Sequence, residues 1–224
     1  MSDALPRPVV LLQHLIEIPS VNPAYDAKSS GELLVARFIE RWADGLGLCV
    51  EKQIVLDGRY NLICRLVIDE NLPTLLFESH MDTVGIVPGT RADFMPKIEG
   101  GLLYGRGACD TKGSMAAMIA AVERLVSQRN QLACNIQFLA AVDEETIGSG
   151  SLLYARSSPN VVAAIVGEPT GNRIVNAHKG VFRDRITVVG KAAHTSVASE
   201  GINAIDGMAD VIVALREVSH RLTG

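Results

Sequence analysis

The chain has 224 residues, 48% hydrophobic and 21% charged, which suits one or two folded domains and excludes a mainly disordered chain. Its formal net charge is -4 without a dense Lys/Arg cluster, so the electrostatic profile of a nucleic-acid binder is absent. No signal-peptide pattern and no run of about 18 apolar residues occurs. We therefore expect a cytoplasmic protein that contacts neither nucleic acid nor membrane.

Two helices are predicted near the N-terminus. Residues 8–18, "PVVLLQHLIEI", carry apolar residues at helical spacing, and the prolines of the following "PSVNP" end this helix. A second helix is expected over residues 31–43, where "LLVARFIERW" supplies an apolar stripe. The following "GLG" ends it.

Short apolar runs then alternate with a helix. The strand-like runs are "LCVEKQIV", "YNLICRLVI", "PTLLFESH", "CNIQFLAAVDEE" and "VVAAIVGEP". Between the third and fourth, "TKGSMAAMIAAVERLVSQ" is an Ala-rich helical segment that begins at Thr111. Strands that alternate with helices predict an α/β domain.

The pattern changes after Pro169. The segment "IVNAHKGVFRDRITVVGKAAH" contains two strand-like stretches, and a helix is predicted over residues 202–221. These elements predict the start of a second, α+β unit. One strand pair and one helix bury too little for a separate core, so we expect the sequence to be a fragment or to depend on a partner.

Acids or histidine follow several of these strands or begin the Ala-rich helix. The positions are His80 and Asp82 in "FESHMDTV", Asp110 in "GRGACD", Glu144 and Glu145 in "VDEET", and Glu168 in "VGEPT". Open α/β sheets place their ligands at strand ends. These residues are therefore the candidates for a functional site.

Each candidate also has a purely structural interpretation. Asp110 could cap the helix that follows it. His80 could be a hydrogen-bonded histidine of the core, and Glu168 could be a turn residue before Pro169. Glu144 and Glu145 could form a solvated loop. A phosphate-binding loop at "GRGACDTKGS" is disfavoured, because Thr111 stands where that motif requires glycine. A nucleotide-binding α/β protein is disfavoured as well, because its glycine motif is absent from the sequence.

Taken together, the five carboxylates favour a metal site. Partly buried charges without compensation cost several kcal/mol each, so converging acids require bound cations or protonation. Two divalent ions would balance about four of these charges, and mixed histidine and carboxylate ligands suit zinc.

Spacing within the motifs predicts different roles. Asp82 lies two residues after His80, so in an extended chain its carboxylate can hold the imidazole in the tautomer that binds metal. Glu144 and Glu145 are adjacent and would point to opposite sides of a strand. One can therefore bind metal while the other faces substrate and water.

These motifs resemble the co-catalytic zinc hydrolases that include acetylornithine deacetylase, succinyl-diaminopimelate desuccinylase, aminoacylase and glutamate carboxypeptidase. The resemblance is carried by "SHMDTV", "LYGRGACDTKGSMAAMIAA", "VDEETIGSGS", "GEPT" and "VVGKAAHTSVASEGINAI". It implies a catalytic domain with a mixed, mostly parallel sheet flanked by helices over residues 1–176. It also implies part of a dimerisation or lid domain over residues 177–224.

The resemblance also implies the site and the reaction. His80 and Glu168 would bind one zinc or cobalt ion, Glu145 the other, and Asp110 would bridge both, with a cis peptide bond after it. The catalytic residues would be Asp82, which orients His80, Glu144, the general base, and His194, which would reach the active site of the partner subunit in a homodimer. A metal-bound water would cleave a small N-acyl amino acid or a peptide-like substrate.

One departure from the family concerns the last metal ligand. Relatives supply a final histidine from a C-terminal segment, whereas His220 here lies on the predicted second-unit helix. The lid residues that grip the substrate carboxylate are also missing from these residues. The alternative to an amidohydrolase is therefore a truncated, non-catalytic fragment that keeps the fold and partial metal binding and acts as a binding or dimerisation module.

Overall fold

A computed structural model describes residues 5–87, 93–157, 160–180 and 184–223 of the chain. Its internal contacts divide the chain into two units, Met1–Ile174 and Val175–Gly224. The assignment of a catalytic and a lid domain to residues 1–176 and 177–224 stays a prediction. Among the described residues, no helix is both long and apolar enough to cross a membrane.

In the described part of the first unit, seven strands form two sheets. They are β1 (Cys49–Leu56), β2 (Arg59–Leu66), β3 (Thr74–His80), β4 (Lys97–Glu99), β5 (Leu102–Tyr104), β6 (Asn135–Ala141) and β7 (Val161–Val166). β4 and β5 form a small hairpin, and the other strands lie in the order β1, β2, β6, β3, β7. β3 pairs in parallel with β6 and β7, while β2 is antiparallel to β1 and β6. Four of the five strands thus point the same way, which confirms the predicted mixed, mostly parallel sheet.

Helices cover both faces of this sheet. The helices of the first unit are α1 (Arg7–Glu17), α2 (Leu33–Gly45), α3 (Lys112–Ser127) and α4 (Ser149–Ser157). Alternate side chains of β6 explain the layering: Phe138 packs in the cluster formed with α1, α2 and α3, and Leu139 packs in the one that contains Tyr154 of α4. The result is a three-layer arrangement, which agrees with the α/β domain predicted from the alternating pattern.

The parallel strands bring their carboxyl ends to one edge. In the register of β3 and β6, His80 lies opposite Ala141, and in that of β3 and β7, Glu78 lies opposite Val166. The residues that follow β6 and β7 therefore emerge beside His80. This topology positions the candidate site.

The second unit contains α5 (Ala204–Thr223), preceded by a short 3-10 helix, Thr195–Glu200. The predicted helix is confirmed, but the two predicted strands are not formed by the described residues 174–180 and 184–190. An isolated bridge joins Lys191 to Ile202. The described residues of both stretches are almost all exposed, and a strand pair outside a larger sheet is marginally stable at best. Alternating sequence alone is thus insufficient here.

Candidate metal centre

His80 ends β3 and is buried at the carboxyl edge of the sheet. Its Nδ1 lies 2.9 Å from the backbone oxygen of Asp82 and 3.5 Å from the carboxylate oxygen Oδ1 of the same residue. Its Nε2 lies 3.0 Å from Oδ1 of Asp110. Nδ1 is therefore held by Asp82, and Nε2 points toward a group of carboxylates.

Asp82 is buried and accepts hydrogen bonds from three donors besides the ring. The backbone N–H groups of Glu144 and Glu145 each donate at 3.1 Å, and Asn22 Nδ2 donates at 2.7 Å. Burial acts to raise the pKa of Asp82, but hydrogen bonds from His80 and Asn22 outweigh it and hold the pKa below the usual value. Asp82 is therefore a carboxylate that joins the ring of His80 to the backbone of the two glutamates.

Asp110 precedes α3, and its peptide bond to Thr111 is cis, which confirms that expectation. The N-cap residue of α3 is Thr111, and no side chain caps the helix, so the interpretation of Asp110 as a helix cap is wrong. Its side chain is half exposed and faces His80. Lys112, two residues further on, is buried and donates to the carbonyl oxygens of Leu15 and Ile18 at 2.8 and 2.7 Å, which ties the start of α3 to the end of α1.

The two glutamates after β6 and Glu168 after β7 reach the same place. Glu144 Oε2 lies 3.7 Å and Glu168 Oε1 4.0 Å from His80 Nε2. Ligand atoms of His80, Asp110 and Glu145 all lie within 4.8 Å of one another. The structure thus brings together all the first-unit residues that the sequence marks as candidates.

Electrostatics at this edge are those of excess negative charge. Burial acts to lower the pKa of His80, but hydrogen bonds to Asp110 and Asp82 outweigh it and raise the pKa to about 11. Burial also raises the pKa of Glu168 to about 7, helped by the nearby Glu144 and opposed by His80. Such shifts are expected where carboxylates outnumber cations.

The donor set fits divalent cations. Burial raises the pKa of Glu145, and the neighbouring charge of Asp110 raises it further. A cation between these oxygens would relieve that repulsion, and imidazole with carboxylate oxygens is a ligand set for zinc. A cleft of about 220 Å³ is lined by Asp110, Glu145, Val84 and Arg106, among others, so two of the candidate ligands border open space.

Sequence reasoning missed the partners of Asp143, the first residue of what we call the acid loop, residues 143–146. Asp143 is buried and has a positive φ of 69°. Thr146 Oγ1 and Ser149 Oγ donate to its carboxylate at 2.7 Å each, and Arg59 Nη1 lies 3.1 Å from Oδ1. Asp143 is thus a structural residue.

Arg59 also joins Asp143 to a second buried acid. Its Nε donates to Glu32 Oε2 at 2.9 Å, and Glu32 Oε1 accepts the backbone N–H of Asp143 at 3.1 Å. In the sequence, Glu32 and Arg59 are two charged residues that lie outside the motifs. Their partners lie too far along the chain for local patterns to reveal.

His194 belongs to the second unit and is exposed. Its Nδ1 lies 2.8 Å from Ser196 Oγ and accepts the backbone N–H of Ser196 at 3.2 Å, so it caps the short 3-10 helix. Its role at a partner's active site stays a prediction.

The sequence matches one family model and a curated relative. Residues 76–220 match the model of peptidase family M20/M25/M40. An acetylornithine deacetylase of Proteus mirabilis (strain HI4320) is 34% identical over 231 residues, which cover 99% of this chain and 58% of that protein. The chain therefore spans somewhat more than half the length of this curated relative.

Solved structures share the fold. An M20 family metallo-carboxypeptidase, Sso-CP2 from Sulfolobus solfataricus, matches with a TM-score of 0.60 at 23% identity, over 73% of this chain and 37% of that one. The Bacillus subtilis YXEP protein, described as a dinuclear metal-binding peptidase of the M20 family, matches with a TM-score of 0.51 at 22% identity, over 71% and 42% of the two chains.

Proposed function

Because the chain belongs to peptidase family M20/M25/M40, we propose that it acts in the metal-dependent hydrolysis of an amide bond in a small N-acyl amino acid or peptide-like substrate. The observation that carries this proposal is the convergence of His80, Asp110 and Glu145, whose ligand atoms lie within 4.8 Å of one another. Glu144 lies beside them, which supplies a carboxylate for proton transfer.

His80, Asp110, Glu145 and Glu168 would hold two divalent ions, zinc or cobalt, with Asp110 between them. When bound, the ions would lower the pKa of a water molecule and polarise the substrate carbonyl. The number of two is supported by the dinuclear relative from Bacillus subtilis. Asp82 keeps Nδ1 of His80 engaged, so Nε2 is the nitrogen left for a metal.

Glu144 is the residue proposed as general base. Its side chain is partly exposed, whereas its backbone N–H is fixed by Asp82, so the carboxylate faces solvent from a held position. There it can accept a proton from the attacking water and pass it to the leaving nitrogen. Glu145, the next residue, belongs to the ligand group, which supports different roles for the two glutamates.

The substrate proposed is an N-acyl amino acid. This choice is supported by the acetylornithine deacetylase of Proteus mirabilis, and a desuccinylase-like substrate belongs to the same chemical class. A homodimer, a role for His194 and a cytoplasmic location are further parts of the proposal. The alternative is a non-catalytic binding or dimerisation module that keeps the fold and partial metal binding.

The test compares the wild-type chain with Glu144→Gln after loading with zinc or cobalt. We expect about two ions per chain in both proteins by elemental analysis, and release of free amine from N-acetylornithine by the wild type. Removal of a general base should lower turnover by about 100-fold to 10,000-fold while metal is retained. Normal turnover in Glu144→Gln would contradict its role, and bound metal without any turnover would favour the module.

A further inference from the structure

The segment that follows α1, residues 19–31, contacts the acid loop and is called the N-terminal loop. Asn22 in this loop is fully buried. Its Nδ2 donates to Asp82 Oδ2 at 2.7 Å and to Asp143 Oδ1 at 3.2 Å. One amide group therefore bridges the buried carboxylates of Asp82 and Asp143.

The orientation of this amide is set by its other atoms. Asn22 Oδ1 accepts the backbone N–H of Ala24 at 3.0 Å, so the NH2 group must face the carboxylates. The backbone of Asn22 donates to the carbonyl oxygen of Thr83 at 2.9 Å, and Thr83 donates to Ser20 at 2.9 Å. The loop is thus fastened to the residue that directly follows Asp82.

A second residue of the loop contacts the acid loop from the outside. The hydroxyl of Tyr25 donates to the carbonyl oxygen of Glu145 at 2.8 Å. The backbone N–H of Glu145 donates to Asp82 on the other side of the same residue, at 3.1 Å. Both polar backbone groups of Glu145 are therefore held. Tyr25 binds its carbonyl oxygen, and Asp82, which accepts a hydrogen bond from Asn22, binds its N–H.

We propose that Asn22 and Tyr25 are positioning residues that fix Glu144 and Glu145 toward the metal ions. Asp82 is the intermediate, because its two oxygens accept the backbone N–H groups of both glutamates. Without the amide of Asn22, the carboxylates of Asp82 and Asp143 lose a shared donor and repel each other at the base of the acid loop. This inference rests on the proposed metal-binding function.

Metal ligands bind well only when outer contacts hold them close to the required geometry, and loss of such a contact typically costs about tenfold to 100-fold in affinity. Adjacent glutamates with different roles need this more than isolated ligands, because a shift of their shared backbone displaces both side chains. The N-terminal loop supplies contacts that neither glutamate can obtain from β6, which ends at Ala141.

The experiment measures the Kd of Zn²⁺ by isothermal titration, with the visible spectrum of bound Co²⁺ as a second readout. It uses the 224-residue chain. Asn22→Leu removes the donors at nearly constant volume and should raise the Kd about tenfold or more. Tyr25→Phe removes one hydroxyl from a half-exposed side chain and should raise the Kd about threefold. Both should alter the Co²⁺ spectrum, since the ligand geometry changes.

Ser29→Ala is the matched control. Ser29 Oγ donates to the carbonyl oxygen of Val21 at 2.6 Å, so it shapes the same loop and has no such bond to the acid loop. Its Kd should stay within about twofold of the wild type. An equal loss in Ser29→Ala would overturn the proposal, because loop stability alone would then explain the effect.

A folding control separates loss of metal affinity from loss of the folded state. Chemical denaturation must show each variant fully folded under the titration conditions, so that global stability cannot alter the Kd. If Asn22→Leu does not fold, an unchanged Kd and Co²⁺ spectrum in Tyr25→Phe overturn the proposal. Unchanged values in a folded Asn22→Leu also overturn it while the proposed function stands. A wild-type chain that binds no Zn²⁺ overturns both.

Discussion

The two sides of the acid loop differ in how their negative charge is balanced. On one side, Asp143 and Glu32 surround the guanidinium of Arg59, and hydrogen bonds from Thr146 and Ser149 complete the shell. Burial acts to raise the pKa of Asp143, but these hydrogen bonds and Arg59 hold it below the usual value. On the other side, burial and neighbouring acids raise the pKa of Glu145 and Glu168.

This difference separates structural acids from candidate ligands. Where an acid serves the fold, the chain supplies its own cation and hydrogen-bond donors. Where acids converge with raised pKa values, an external cation would complete the charge balance. The two sides meet at adjacent residues, so residue type alone does not distinguish them.

The largest effect is expected from Arg59→Met, which removes the cation of the structural side. Glu32 and Asp143 would then remain buried without their partner, and breaking such a buried pair costs about 3 to 5 kcal/mol. Urea denaturation measures the free energy of unfolding. Arg65→Met is the control on the same strand, because Arg65 and its partner Glu51 are both exposed, and it should cost less than about 1 kcal/mol. Equal losses in both variants would remove the distinction between the two sides.

The next effect concerns the opposite side, where a divalent cation is proposed to bind. Zinc at about 100 times its Kd should raise the free energy of unfolding of the wild type by about 2.7 kcal/mol, because the ion binds the folded chain. Asp110→Asn should abolish most of this gain, since Asp110 faces both His80 and the other acids. Thermal denaturation with and without zinc measures the gain. A variant that keeps the full shift would place the ion elsewhere.

Glu168→Gln in chelator-treated protein is expected to have a smaller effect and, unlike Arg59→Met, to increase the free energy of unfolding. This change removes one of the crowded charges beside Glu144 and Asp110, so the metal-free chain should become more stable. The side chain is 39% exposed, and water screens the gain to roughly 0.5 to 1 kcal/mol. Glu70→Gln, at an exposed position outside the site, should change stability by less than about 0.5 kcal/mol. Destabilisation by Glu168→Gln would show that this acid belongs to the structural side.

Most of the fold follows from local patterns. Helices α1, α2 and α3 and the five strands of the main sheet were predictable because their apolar periodicity lies within each segment, as in β6 and α3. Helix α4 and the hairpin of β4 and β5 were not predicted. Four of the candidate positions were predictable because they follow parallel strands, whose carboxyl ends must meet at one edge. The prediction of two strands after Pro169 was wrong for the described residues, since a strand also needs a neighbouring strand to pair its backbone hydrogen-bonding groups.

The partners of the acids were not predictable in this way. Asn22 donates a hydrogen bond to Asp143, 121 positions further along the chain, and nothing in "PSVNP" beyond two polar residues between prolines indicates that contact. Arg59 is the first residue of β2, and in the sequence it looks like an ordinary polar residue at the start of a strand. Which acids are neutralised is decided by tertiary packing, so the sequence could identify the cluster without dividing it.

The smallest effect tests charge balance at the surface, where solvent should remove most of the difference. Arg7 holds Glu123 through two hydrogen bonds, of 3.0 and 2.7 Å, and Trp42 adds a third at 3.1 Å. The hydrogen bond from Arg7 lowers the pKa of Glu123 against the opposing effect of burial. A carboxyl with a lowered folded pKa adds stability above its unfolded pKa, and that stability disappears as the pH falls through the folded value.

Glu123→Gln should therefore cost about 0.5 kcal/mol at pH 7, because the side chain of Arg7 is 53% exposed and the pair is screened. Near pH 3 the difference from the wild type should shrink, since the wild-type carboxyl is then becoming protonated. Urea denaturation at both pH values measures this change. A difference that stays constant with pH would mean that Glu123 acts through packing rather than charge. A loss as large as that of Arg59→Met would mean that burial does not set the strength of the structural side.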